Sequence, residues 1–295
     1  MHSIRNSRHL INFDSFGAQP LSWICTSSHT PVLWEMDKKY WNRTAPVLFP
    51  VVGRLKNDTY QYQGQKYPLK QHGFARDLEF DVSRNDLFEV SKEEAHSIGF
   101  LLSSNSETRK SYPFGFELHI AYTLEEDTLK VVHTVKNTSD SEVLPFSLGA
   151  HPGFYTPGLT NEYSVIVEGL EVADRHLIED GIYSGETQEL RDINGIELQL
   201  SDELFSSDAV VFKQKGISSM TILRNGDPRV KVSLDTPAPY WGIWKKMGAP
   251  FLCLEPWWGI ADNRNSSGEI LEKEGIVQLA AGELRTFTYN ITHLA

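Results

Sequence analysis

The sequence predicts an all-β protein: a large antiparallel β-sandwich with a few short helices, residues 1–295 forming one domain. Three observations carry that reading. Apolar and polar residues alternate with period two in segments spread from end to end, clusters of Gly, Asn, Asp, Ser and Glu separate those segments, and no stretch keeps a helical apolar face over three turns. No repeat, low-complexity tract or Pro/Ser-rich linker divides the chain.

The elements follow in order. Thr59-Tyr-Gln-Tyr62 and Lys66-Tyr-Pro-Leu69 flank Gln63-Gly64-Gln65, a hairpin in which Gly64 supplies the turn conformation. Phe116 to Leu124 and Leu129 to Lys136 are alternating strands joined by the turn Glu125-Glu126-Asp127. After Asn137-Thr-Ser-Asp-Ser141, Val143 to Leu148 reopens the pattern and completes a meander of three long strands. Ile196 to Leu200, Val230 to Leu234 and Leu284 to Ile291 alternate in the same way, and the apolar run Phe251 to Leu254 reads as a buried strand. The helical candidates are short: Lys38 to Trp41, Ser106 to Lys110, and Ser201 to Phe205 with Ser201 as its cap.

Composition excludes several functions. There are 28 Lys and Arg against 39 Asp and Glu, a net charge of −11. The basic runs do not exceed Lys38-Lys39 or Lys245-Lys246, so no concentrated basic face is offered to nucleic acid. The most apolar segment, Ala249 to Ala261, is broken by Pro250, Glu255 and Pro256, far short of the ~20 apolar residues of a spanning helix. Met1 to Asn12 lacks an apolar stretch of signal-peptide length, which points to the cytoplasm. Cys25 and Cys253 then read as buried free thiols.

Three places break the alternation with titratable side chains among Gly, Pro and aromatic residues. They are Phe49 to Leu55 with Gln71 to Arg76, Ser147 to Phe154, and Phe251 to Gly259. Glu255 follows an apolar run and precedes Pro256-Trp257-Trp258-Gly259, so its carboxylate is expected at a strand end beside large rings. Partial desolvation there raises a carboxyl pKa towards the range of a general base; neutralising a nearby arginine or capping a loop is the alternative role. Trp257 and Trp258 offer flat faces for the C–H side of a sugar ring, or serve as plain core. His72 and His151, each beside Gly or Pro, are candidates for proton exchange, whereas His119 and His133 lie within alternating strands and read as structural. Two His and one carboxylate also make a facial triad for iron, but the chain has no His-x-His, His-x-Asp or His-x-x-x-His. Nor does it contain a Gly-x-Gly-x-x-Gly, a Walker loop or a Gly-x-Ser-x-Gly.

At these residues the sequence resembles the aldose 1-epimerase, or galactose mutarotase-like, family. The motifs run in order: Asn12-Phe13 to Gly17-Ala18, Leu33-Trp34, Leu48 to Arg54, His72-Gly-Phe-Ala-Arg76, Gly149-Ala-His151-Pro-Gly-Phe154 and Glu255-Pro-Trp-Trp-Gly259. Leu48 to Arg54 and the Glu-Pro-Trp ending resemble a bacterial mutarotase-like subgroup. The resemblance implies a large antiparallel sandwich, with Glu255 as catalytic base, His151 as catalytic acid, and His72 and Arg54 lining the sugar site. It also implies a hydroxyl-binding Asp, for which Asp208 is the first choice and Asp235 the reserve. No metal, nucleotide or other cofactor is implied.

The residue types suit anomerisation. A carboxylate takes the proton of the C1 hydroxyl, an imidazolium protonates the ring oxygen, the open aldehyde turns about C1–C2 and the ring recloses. The expected partner is a small sugar of galactose or glucose type. Three alternatives stand beside this reading. A phosphorylated aldose requires converging basic side chains, for which Arg54, Arg76 and Lys245 are available. A glycosidase requires a second carboxylate about 5 to 10 Å from the first, and a carbohydrate-binding protein would use the same pocket without turnover.

Overall fold

A computed structural model of the chain describes residues 1–83, 96–191 and 193–294. Period-two alternation becomes strand pairing as the sequence predicts. Phe116–Glu125 and Thr128–Asn137 pair antiparallel around the Glu125-Glu126-Asp127 turn, with Glu126 at φ 50°. Thr59–Tyr62 and Gln65–Pro68 form the expected hairpin, its two central residues, Gln63 and Gly64, both left-handed at φ 50° and 75°.

Two large sheets organise the described residues. The ten-stranded sheet runs in the order Ile193–Asn194, Glu197–Gln199, Tyr163–Glu168, Ser219–Arg224, Asp227–Leu234, Leu284–His293, Thr128–Asn137, Phe116–Glu125, Ser97–Ser103 and Asp81–Ser83. The eight-stranded sheet runs Ile182–Glu189, Asp174–Glu179, Val210–Phe212, Tyr240–Trp244, Phe251–Trp258, Leu148–Ala150 and Val47–Leu48, with Gly153–Tyr155 also on Phe251–Trp258. A three-stranded sheet of His2–Arg5, His9–Asp14 and Gln19–Cys25 lies outside both.

The core forms between the large sheets. Leu254, Trp258, Trp241, Ile243, Val210 and Phe212 from the eight-stranded sheet join Val131, Val232, Phe287 and Ile291 from the ten-stranded sheet in one buried cluster. Trp258 meets Phe287 with ring centroids 5.2 Å apart. The alternate residues Phe251, Cys253, Glu255 and Trp257 point to the other face of the eight-stranded sheet and are buried as well. Both faces of this strand are covered, which is why Phe-Leu-Cys-Leu-Glu-Pro-Trp-Trp shows no alternation.

Three local expectations change. The meander ends after two long strands, because the side chain of Asn137 donates to the carbonyls of Glu142, Leu279 and Ala280 and turns the chain away. Leu144–Phe146 then pairs with Val277–Leu279, and Leu148–Ala150 enters the other sheet. Lys38 to Trp41 is a turn rather than a helix: Asp37 O accepts the N–H groups of both Tyr40 and Trp41, and Asp37 Oδ1 accepts that of Lys39. The remaining helical candidates shrink to Thr108–Ser111 and a 3-10 turn at Glu203–Phe205, where Ser201 Oγ accepts the Leu204 N–H at 3.2 Å.

Candidate active site

Glu255 lies inside the Phe251–Trp258 strand rather than at its end. On one side that strand pairs continuously with Tyr240–Trp244, Glu255 opposite Gly242. On the other side its neighbour is interrupted: Leu148–Ala150 pairs around Trp257, Gly153–Tyr155 pairs around Cys253, and His151-Pro152 fills the gap. Pro256, which has no N–H to give a ladder, falls opposite that gap. The interruption sets His151 Nε2 3.3 Å from Glu255 Oε2. Glu255 is 1% exposed and His151 8%. Burial pushes the Glu255 carboxyl well above its ordinary range, the Trp257 indole N–H partly offsets this, and the charge of Asp208 adds to the rise. Burial, reinforced by the Arg76 cation, pushes the His151 imidazole down to about 3.

His72 comes from a loop locked against Phe49 to Gly53. Its N–H donates to Gly53 O at 2.9 Å, and the Gly53 N–H donates back to His72 Nδ1 at 3.1 Å. An accepting Nδ1 places the proton on Nε2, so His72 is a neutral donor. Burial and then the Arg76 cation keep it neutral by lowering its pKa well below 6.5. Gly73 is obligatory here: at φ 69° any Cβ would stand 2.2 Å from Phe49 O. The rings of His72 and His151 meet edge to face, centroids 5.9 Å apart.

These groups line a cavity of about 700 Å³ on the outer face of the eight-stranded sheet. Trp257 forms part of its wall, lying between glycines on both neighbouring strands. A Cβ at Gly242 would come 2.7 Å from Trp257 Cζ2, and one at Gly149 2.8 Å from Cδ1. His151 is braced by Trp41 at 5.0 Å and by Trp244, edge-on, at 5.6 Å between ring centroids. Asp208 also lines the cavity, held at φ 84° with its Oδ1 accepting the Ala209 N–H. Glu255 Oε2, Tyr183 Oη and Arg76 Nε are buried without well-formed hydrogen bonds among the described residues, and all three residues line this cavity.

The family model for aldose 1-epimerase matches residues 1–292. The chain belongs to the aldose 1-epimerase family. The galactose mutarotase related enzyme from Lactobacillus acidophilus is 32% identical, with a TM-score of 0.89 over 100% of this chain and 97% of that one. A galactose mutarotase-like protein from Lactobacillus casei is 30% identical, with a TM-score of 0.88 over 99% of both chains. Protein LacX, plasmid, from Lactococcus lactis subsp. lactis is 28% identical over 99% of this chain and 98% of its own length.

In this aldose 1-epimerase family member the structure gathers Glu255, His151, His72, Asp208 and Trp257 around one cavity, but not Arg54. The Arg54 guanidinium donates twice to Asp58, at 2.7 Å, and once to Asp180 O. Arg76 occupies the wall instead, its Nη2 donating to Gln71 O at 2.8 Å. Asp235 is also elsewhere: it accepts from Asn290 Nδ2 on the ten-stranded sheet. Trp258 faces the core, where its Nε1 donates to Pro237 O. Tyr183, Trp41 and Trp244 were invisible as site residues because each is a single aromatic outside any motif. His151, Cys253 and Glu255 bring donor atoms within 4.8 Å of one another. The Arg76 and Arg43 cations acting on His151 oppose a metal cation there. The described residues include no helix long and apolar enough to cross a membrane.

Proposed function

We propose that this protein interconverts the α and β anomers of a free aldose by acid–base opening and reclosure of the sugar ring. What supports this reading is a buried carboxyl, Glu255, 3.3 Å from the His151 imidazole on the wall of a cavity that His72, Arg76 and Asp208 also line. A small ring bearing several hydroxyls suits such a wall of donors and acceptors beside an indole face. Glu255 takes the C1 hydroxyl proton and His151 protonates the ring oxygen. Burial raises the carboxyl and lowers the imidazole, so in this reading the resting pair holds one proton and no net charge. Its working form, carboxylate and imidazolium, differs only in which side of the 3.3 Å gap that proton occupies. A sugar hydroxyl donating to Glu255 favours the carboxylate and hands the proton to His151. His72 donates through Nε2–H, Arg76 and Asp208 hold hydroxyls, and Trp257 offers a flat face to C–H groups.

The whole of residues 1–295 acts as one domain in this reading, and the steps need no cofactor or covalent intermediate. The unpaired, buried Cys25 and Cys253 support a reducing, cytoplasmic location. The test is Glu255→Gln, which keeps the shape and removes the base. Followed by polarimetry on α-glucose or α-galactose, it is expected to slow catalysed equilibration by about 10² to 10⁴-fold. Parent-like rates reject the base assignment.

A phosphorylated aldose is the second reading, because Arg76, Lys245 and Lys246 line the same cavity. All three already have partners: Arg76 Nη2 donates to Gln71 O, Lys245 lies 3.3 Å from Asp202 Oδ1, and Lys246 donates to Tyr40 O. Neutral sugars therefore take precedence. Anomerisation rates for aldoses and their 6-phosphates, each against its spontaneous rate, decide between the two.

A further inference from the structure

A second cluster of donor atoms shares no residue with the active-site cavity. His9 and Cys25 face each other across the ladder between His9–Asp14 and Gln19–Cys25. His293 ends the Leu284–His293 strand and sets its ring edge to face against His9, centroids 5.4 Å apart. One donor atom from each of the three lies within 4.8 Å of the others.

The surroundings orient these atoms. His9 Nε2 is 2.8 Å from Asp127 Oδ1, while Asp127 Oδ2 accepts from Arg8 at 2.6 Å. With its Nε2–H given to Asp127, His9 carries a lone pair on Nδ1, and that atom is buried with no hydrogen-bond partner among the described residues. His9 itself is 1% exposed. Edge-to-face packing of His9 on Trp23, at 5.5 Å, accounts for the ring's position but leaves Nδ1 unsatisfied. Cys25 Sγ lies 3.2 Å from Ser27 Oγ. The three residues open on a cavity of about 470 Å³ that Glu125, Glu126 and Asp127 also line, together with Arg8, which is paired to Asp127.

We infer that His9 Nδ1, Cys25 Sγ and a ring nitrogen of His293 form a three-ligand site for a zinc-class divalent cation. A thiolate with two imidazoles is a donor set for borderline-soft metals and not for magnesium or calcium. Three protein ligands leave one tetrahedral position for water or an anion from the cavity. Asp127 acts behind the ligands, fixing the His9 ring through Nε2–H. The bound ion ties the Gln19–Cys25 strand to the Leu284–His293 strand, and Cys25 gives up its proton as it binds.

Cobalt(II), which reports thiolate ligation optically, tests the site in the full-length protein after chelator treatment. A single Co²⁺ per chain is expected, with sulfur-to-cobalt charge-transfer absorption that Zn²⁺ removes. Cys25→Ser abolishes that absorption, and His293→Gln weakens Co²⁺ binding by about tenfold or more. Asp127→Asn, at a part-exposed position, keeps the band while weakening binding about 10- to 100-fold, and serves if a ligand variant fails to fold. Cys253→Ala, which alters the trio beside the active site, leaves the band in place. No charge-transfer band in the folded parent overturns the proposal. So does a band that survives Cys25→Ser, disappears in Cys253→Ala, or binds Co²⁺ as tightly in Asp127→Asn as in the parent.

Discussion

In the proposed mechanism Glu255 and His151 share one proton across 3.3 Å, and that has a consequence for pH dependence. The pair fails as a base only when a second proton arrives, and burial with the Arg76 cation holds the His151 imidazole down to about 3. Catalysed mutarotation, followed by polarimetry with spontaneous rates subtracted, is therefore expected to stay flat as pH falls through 6.5 and to drop only towards about 3. Arg76→Gln removes part of the field on His151, so its acidic limb moves to higher pH, while the lost hydroxyl contact raises KM. An unmoved limb would mean that Arg76 acts only through binding. The residues proposed to exchange protons are legible because His72 and His151 stand beside Gly or Pro and Glu255 precedes Pro-Trp-Trp-Gly. The arginine is not: Arg54 and Arg76 both sit in such motifs, and only the fold reveals that Asp58 engages the first.

At the scale of the strand, the Trp257 wall depends on the absence of side chains beside it. Gly242 carries no left-handed strain, so its role is close approach alone: an added Cβ would meet Trp257 Cζ2 at 2.7 Å and Cη2 at 2.8 Å. Gly242→Ala is expected to push the indole into the cavity, destabilising the protein by about 1–3 kcal/mol in urea unfolding. It should also raise KM for the sugar more than it lowers kcat, since the ring is displaced while Glu255 keeps its place in the strand. A normal KM would remove Trp257 from the binding wall. Strand identity was readable from alternation, but pairing was not. Period two assigns a residue to a face and leaves open which sheet the strand joins. Val143 to Leu148 therefore looked like a third meander strand, when its halves belong to two different sheets. Phe251 to Leu254 looked too short because burial on both faces continues through Glu255 and Pro256.

Across the whole molecule, the buried core couples folding to protons. His133 lies on the ten-stranded sheet, 2% exposed, its ring stacked on Tyr289 at 5.8 Å and its Nδ1 without a partner among the described residues. Burial pushes its imidazole down from 6.5 to about 3. An unfolded chain takes up that proton as pH falls through 6.5, whereas the folded chain refuses it until about 3. Between those values the unfolded state binds more protons, so stability is full above 6.5 and is lost progressively below it. One such group changes the slope by about 1.4 kcal/mol per pH unit. His72 and His151 are depressed in the same direction, so the candidate site and the core both weaken the fold in acid. His133→Leu, compared with the parent by urea unfolding at a series of pH values, is expected to flatten the acid side by about that amount per unit. Near neutral pH it should stay within about 1.5 kcal/mol of the parent, because it exchanges one buried ring for an apolar side chain of similar bulk. Equal slopes in the two proteins would mean that the folded core accepts a proton at His133, and the acid sensitivity would then rest on the other depressed groups, His72 and His151 among them.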